Sequence, residues 1–163
     1  MKTRTAWGKE TEDCGWQPLK ADSQAGYPWC SKSVLRVQAV RAKDIDGAMA
    51  TVAPDVLSFD VVNPLQSIGS SAIRKRLEEW FSSFKGLVGH EIRDLKIDVG
   101  DSVAFSHGLN HVIGTTLDGK NVDMWWRSTI CYRKIEGKWM ITHEHNSVPF
   151  DVESGRASLD LKP

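Results

Sequence analysis

Long apolar runs are missing from this 163-residue sequence, whose longest apolar stretches are only a few residues. The charged N-terminal residues Lys2, Arg4, Lys9, Glu10, Glu12 and Asp13 are followed by no continuous apolar segment. A membrane-spanning helix needs about 20 apolar residues and an export signal roughly 7–15. Neither a membrane partner nor export is therefore expected. Charge of one sign is also missing, since 21 Lys and Arg balance 21 Asp and Glu. Neutralising nucleic-acid phosphates takes a basic stripe, so nucleic acid is not an expected partner. Cysteine is scarce: Cys14, Cys30 and Cys131 form an odd set without CxxC spacing. That pattern fits reduced thiols in a cytoplasmic protein, with a Cys14–Cys30 bridge left open. No glycine-rich phosphate loop and no Ser/His/Asp order occurs.

What is present suits one domain with one core. Zero net charge removes a source of colloidal repulsion, and seven tryptophans supply apolar area. A homodimer follows as the default expectation. Residues 1–30 mix Gly, Pro, Trp and charge without period and read as an irregular extension, in which Trp7, Trp16 and Trp29 invite packing on the domain or across a dimer. Residues 31–150 carry the periodic elements, and 151–163 read as a tail that covers an edge or extends from the dimer.

Ser31 or Ser33 can cap a helix to about Lys43, and Asp44 caps a short second one with the stripe Ile45, Ala48, Met49 and Val52. Val56 to Val62 is a short β-branched strand stopped by Asn63-Pro64. A helix from about Ser70 to Phe84 buries Ile73, Leu77, Trp80, Phe81 and Phe84, with Arg74–Glu78 and Lys75–Glu79 pairs outside. Its aromatic residues read as core. Four long strands follow, near 89–99, 102–115, 121–134 and 138–148, separated by Gly100-Asp101, Asp118-Gly119 and Glu136-Gly137 turns. Long strands twist and coil around what packs on them. The expected fold class is α+β: N-terminal helices packed on a strongly curved, mainly antiparallel sheet, forming a cone.

This element order resembles the nuclear transport factor 2-like superfamily, which includes ketosteroid isomerases and SnoaL-like cyclases. Asp44-Ile45-Asp46-Gly47, Ala53-Pro54-Asp55 and Phe59-Asp60 resemble the isomerase pattern of an acidic helix start, a turn and a strand aspartate. The ending from Gly137-Lys138-Trp139 to His143-Glu144-His145-Asn146-Ser147-Val148-Pro149 resembles the SnoaL-like branch. The resemblance covers about residues 31–150. It implies the cone fold, a pocket for a small hydrophobic or polar-aromatic molecule, chemistry without a cofactor, and Asp60 at the proton-shuttling position. Members also include noncatalytic assembly domains, so the fold does not choose a reaction. The oxyanion donors of the isomerases, a helix tyrosine and a protonated aspartate, have no counterpart here. The tyrosine position falls on Arg36, and no acid lies between Asp123 and Glu136.

Read from its own surroundings, Asp60 is either a base whose affinity for protons rises among Val56, Leu57, Phe59 and Val61, or an aspartate satisfied by backbone N–H groups at the Asn63-Pro64 turn. Glutamate tolerates positive φ poorly, so Ile135-Glu136-Gly137 reads as a three-residue loop that pairs Lys134 with Lys138. That register sets Arg127 opposite His145, Thr129 opposite His143 and Cys131 opposite Ile141, on the pocket face with Trp125 and Trp139, while Glu144 faces out. Alternation brings His107 to the same face. A slip of one residue would exchange this set for Trp126, Ser128 and Ile130 and make Glu144 the residue of interest. Arg127 then either finds a carboxylate or carbonyl within the protein or grips a ligand's carboxylate or enolate. His143 and His145 admit three readings: hydrogen-bonded structural residues, acid/base or orienting groups, or two ligands of a metal completed by Asp60 or His107. The expected catalytic set is Asp60, Arg127 and His145, with Trp125, Thr129, His143, His107 and Trp139 binding ligand and no metal or cofactor assigned. The function expected is a small-molecule pocket protein, an isomerase, cyclase or lyase working by acid/base chemistry. A noncatalytic assembly domain is the alternative, and a metal-dependent enzyme on the HxH strand the third reading.

Overall fold

Two helices in tandem open the domain, and local capping explains the break between them. The structure, a computed structural model, describes residues 12–13 and 28–163. α1 (Pro28–Ala42) begins on a proline, whose missing N–H costs nothing in a first turn, and ends at Lys43 with φ 55°. Lys43 N–H returns to Val40 O at 3.1 Å and Asp44 N–H to Ala39 O at 2.8 Å, a Schellman closure. Asp44 then caps α2 (Ile45–Met49), its side chain accepting from Gly47 N–H at 3.0 Å. The expected extension over residues 1–30 lies mostly outside the described residues. Within it stand a two-residue strand, β1 (Glu12–Asp13), and the first turn of α1, which starts earlier than Ser31.

The remaining elements are β2 (Val52–Phe59), β3 (Ser67–Ile68), α3 (Ser70–Ser82), β4 (Phe84–Val99), β5 (Val103–Thr116), β6 (Asn121–Ile135) and β7 (Lys138–Ser147). α3 stops two residues before the expected end because Phe84 turns into the sheet, where it is buried with Val88 and Val112. Gly114 is required opposite it, since a Cβ there would lie 2.7 Å from the Phe84 ring. On the exposed side Lys75 meets Glu79 at 4.0 Å, whereas Arg74 pairs with Asp46 of α2 rather than Glu78.

The sheet order is β1-β4-β5-β6-β7-β2-β3, antiparallel except where β2 runs parallel to β7. The expected α+β cone of curved, mainly antiparallel sheet is the observed fold. Register irregularities in the β4–β5 pair, with Asp94 at φ 54°, supply the local bends that curve such a sheet. Its concave side takes the helices. Met49, Val52, Val56, Ile73, Ala104, Tyr132 and Ile141 form one core cluster, and Ala39, Val40, Ala48 and Phe81 a second beneath α1.

The β6–β7 hairpin departs from the expected register. Glu136 and Gly137 take φ 50° and 78°, and Ile135 pairs with Lys138, so the turn has two residues rather than three. Right-handed strand twist favours positive φ at both central positions, and this outweighs the roughly 1–2 kcal/mol that a left-handed glutamate costs. A second irregularity then intervenes: Tyr132 pairs with Ile141 but Cys131 with His143, leaving Thr142 as an extra residue. The bulge inverts the alternation of β7. Trp139 and Ile141 face the concave side before it, Glu144 and Asn146 after it, and His143 and His145 turn to the outer surface.

Ile141 is 2% exposed in the main cluster, so Ile141→Ala should lower unfolding free energy by about 2–5 kcal/mol, read from urea denaturation monitored by tryptophan fluorescence. A loss under about 1 kcal/mol would show that this cluster does not carry the fold.

Candidate functional site

The concave wall is polar to a degree that packing alone does not call for. Ser58, Ser106, Asn110, Ser128 and Glu144 are all buried. Glu144 receives Arg36 Nη2 at 2.9 Å from α1, and Ser58 Oγ lies 3.4 Å from its other oxygen. Removing Arg36 would leave the buried Glu144 charge uncompensated. Burial works against the Arg36 cation, but the charge of Glu144, its hydrogen bond and Tyr132 together hold its pKa above the ordinary value. The Tyr132 phenol is pushed up by burial, with Ser106 Oγ at 3.1 Å acting in the opposite sense.

Beside this pair, His90 stacks on Trp126 with centroids 5.8 Å apart, and its Nε2 lies 3.1 Å from Asn110 Oδ1. With Asn110 presenting its oxygen, Nε2–H donates, and the buried Nδ1 is left without a partner. Burial drives the His90 pKa down to about 4, helped by Arg36 and Arg41 and opposed by the Asn110 bond. Trp126 Nε1–H in turn donates to Asn146 at 3.2 Å.

Asn146 connects this wall to a cleft of about 510 Å³ at the mouth of the cone, lined by Phe59, Asp60, Val61, Leu65, Gln66, His145, Asn146, Ser147 and Val148. Asp60 follows β2 directly. Its Oδ1 accepts Val61 N–H at 2.7 Å, and its Oδ2 accepts Arg76 Nη2 of α3 at 2.5 Å. Asp60 therefore holds a backbone bond, from Val61 rather than from the Asn63-Pro64 turn, and an ion pair that was not foreseen. Its side chain remains 30% exposed.

Of the residues expected to share the pocket, the fold brings Asp60 and His145 to one cleft. The others do not join them: Arg127, Thr129, Trp125 and His107 lie on the same side of the sheet as His145, but that side is the outer one, and the Thr142 bulge sets Trp139 on the opposite side. Thr129 pairs with His145 and Arg127 with Ser147, two residues from the expected register, and both side chains are exposed on the outer face. His107 is exposed there too, opposite Thr129. Trp125 also lies outside, stacked on His111 at 4.1 Å and beneath the Arg93 guanidinium at 4.7 Å. His111 bridges Glu91 at 3.1 Å and Asp123 at 2.7 Å. Lys162 of the tail reaches Asp123 at 2.6 Å. Trp139 packs against the main core cluster instead. His143 Nδ1 donates to Leu57 O at 2.9 Å, and the Phe59 ring stands edge-on to both histidines at 5.0 and 5.6 Å. Among the described residues no group of three or more His, Cys, Asp or Glu side chains could hold a metal, so the strand pair finds no third ligand there.

Sequence reasoning missed His90 and Arg76 and put Glu144 on the wrong side. Arg76 had a signal: it lies three residues past Ile73 and next to Leu77, at the border of the buried helix stripe.

A helix-filled cone with a polar concave wall and an open mouth defines a nuclear transport factor 2-like domain. The sequence profile of the SnoaL-like domain matches residues 36–151, and the chain belongs to that family. No curated protein matches it. A nuclear transport factor 2-like protein of unknown function from Pseudomonas putida is 33% identical, with TM-score 0.76 over 83% of this chain and 94% of that one. A putative calcium/calmodulin-dependent kinase II association domain from Xanthomonas campestris superposes with TM-score 0.66 at 21% identity, over 86% and 99%. A ketosteroid isomerase-like protein from Erwinia carotovora gives 0.61 at 17%, over 72% and 90%. The last two likenesses concern the fold alone. Among the described residues no helix is long and apolar enough to cross a membrane.

The His90 ring gives a pH signature whose sign can be worked out. Its folded pKa of about 4 lies below the unfolded value near 6.5, so the unfolded chain binds more protons between those limits. Stability should fall as pH drops through that window, by at most roughly 3 kcal/mol. Urea midpoints of wild type and His90→Phe at pH 7 and pH 4.5 test this. The variant should lose less on acidification; equal losses would remove His90 as the source.

Proposed function

We propose that the protein binds a small hydrophobic or polar-aromatic molecule in the cleft at the cone mouth and performs cofactor-independent acid/base chemistry there. Isomerisation, cyclisation or elimination is the reaction class, Asp60 the base, and His145 the group that orients or protonates the ligand. One observation carries this reading: Asp60 is half-buried and lines an open cleft whose other walls are the apolar Phe59, Val61, Leu65 and Val148 and the polar Gln66, His145, Asn146 and Ser147. Apolar walls with a few convergent polar groups suit recognition of a small organic molecule. A carboxylate at such a wall can move a proton between carbon atoms if the ligand holds that carbon within hydrogen-bond reach. Arg127 would act only through Ser147, its partner across the strands.

Proton NMR in deuterium oxide with a panel of enones and aromatic carbon acids tests the chemistry. At least one compound should lose a carbon-bound proton signal faster with wild type, and Asp60→Asn should slow that exchange about 100-fold or more. Equal exchange by the two proteins, with both folded, would rule out Asp60 as base.

A second reading, self-association as a homodimer in the cytoplasm, draws on the outer face of β5. Val103, Phe105 and Ile113 are 54%, 44% and 51% exposed there, and the kinase association-domain likeness points the same way. Light scattering should give twice the chain mass for wild type and the single mass for Phe105→Glu. A wild-type monomer at every concentration would count against assembly.

A further inference from the structure

Arg76 spends its two terminal nitrogens on two different elements. Nη2 goes to Asp60 and Nη1 donates to Ser67 Oγ at 3.0 Å. Asp60 directly follows β2 and Ser67 opens β3, so these are the two ends of the intervening segment 61–66. That segment supplies Val61, Leu65 and Gln66 to the cleft. Ser67 is 5% exposed and the Arg76 side chain 19%, so the bond between α3 and the segment is shielded from water, where charge-assisted hydrogen bonds count for more.

We propose that Arg76 is a positioning residue: its guanidinium clamps both ends of the segment that walls the cleft and sets the Asp60 carboxylate in one orientation toward it. The inference rests on reading the cleft as the ligand site. A carboxylate offers about four lone-pair positions. Val61 N–H and Arg76 each occupy one, on different oxygens. The remaining positions, on a side chain 30% exposed, are available to a ligand. Two of the carboxylate's four positions thus hold it still and two remain free. A planar fork with fixed donor directions can reach two acceptors on separate elements at once, which the single ammonium of lysine cannot do with the same geometry.

The Val61 amide reports on this arrangement without any ligand, because it donates to the carboxylate that Arg76 holds. Hydrogen exchange followed by nitrogen–proton NMR should be about tenfold or more faster at Val61 in Arg76→Gln, given what a hydrogen bond to a charged group contributes. Amides of β5 and β6 should keep wild-type protection. Arg76→Lys, which retains the charge, should fall between the two. Unchanged Val61 exchange in a folded Arg76→Gln protein overturns the proposal. So does Arg76→Lys behaving as wild type, since the fork would then be dispensable. If Arg76→Gln fails to fold, the lysine variant alone decides. Absence of proton exchange in the compound panel would instead speak against the cleft reading, because the Val61 measurement needs no compound.

Discussion

The pair formed by Arg36 of α1 and Glu144 of β7, 2.9 Å apart on the concave wall, ties the helical layer to the sheet at its polar centre. A buried carboxylate without its cation would carry a large desolvation cost, so Glu144 can face inward only while α1 lies across the sheet. It can face inward at all because Thr142 is an extra residue that inverts the alternation of the last strand. Bulge and ion pair therefore imply one another. With Glu144 inside, His143 and His145 must stand outside. His143 there fastens β7 to β2 through the Leu57 carbonyl, and His145 reaches the rim of the mouth.

The concave side is accordingly two regions. Toward the narrow end Met49, Val56, Ile73 and Ile141 form an ordinary apolar core. Toward the mouth the wall becomes hydroxyl, amide, imidazole and ion pair, with His90 held neutral by burial and one of its nitrogens unpartnered. Asn146 touches both this wall and the open cleft, and it holds Trp126 in place. A ligand at the mouth would thus meet a surface whose polar groups are largely oriented before it arrives, the condition under which electrostatic interactions contribute most to binding and catalysis.

Local signals were legible wherever one interaction decided the outcome. The Asp44 cap, the helical stripe from Ile73 to Phe81 and the glycine-marked turns led to the right order of elements, since each depends on residues a few positions apart. Asp60 could also be picked out, as a lone carboxylate in an apolar strand. Arg76 was harder to see, because an arginine beside a helical stripe is in most helices a solvated side chain, and nothing in the helix names Asp60 as its partner. The face carried by β6 and β7 was misjudged for another reason. The tight turn at Glu136 and the bulge at Thr142 each shift β7 by one residue, so Arg127 and Thr129 still share a side with the two histidines, but no residue pattern marked that side as the outer one.

By itself, then, the sequence determined that this is a helices-first α+β cone with a polar final strand and a carboxylate in its short apolar strand. Capping, period and turn chemistry are short-range and are written in neighbouring residues. Only the tertiary structure decided that Glu144 looks inward, that His143 and His145 look outward, and that Asp60 is gripped by α3. A strand has two equivalent faces until something distant chooses between them. Here the choice was made by Arg36, 108 positions away in the chain from the carboxylate it meets.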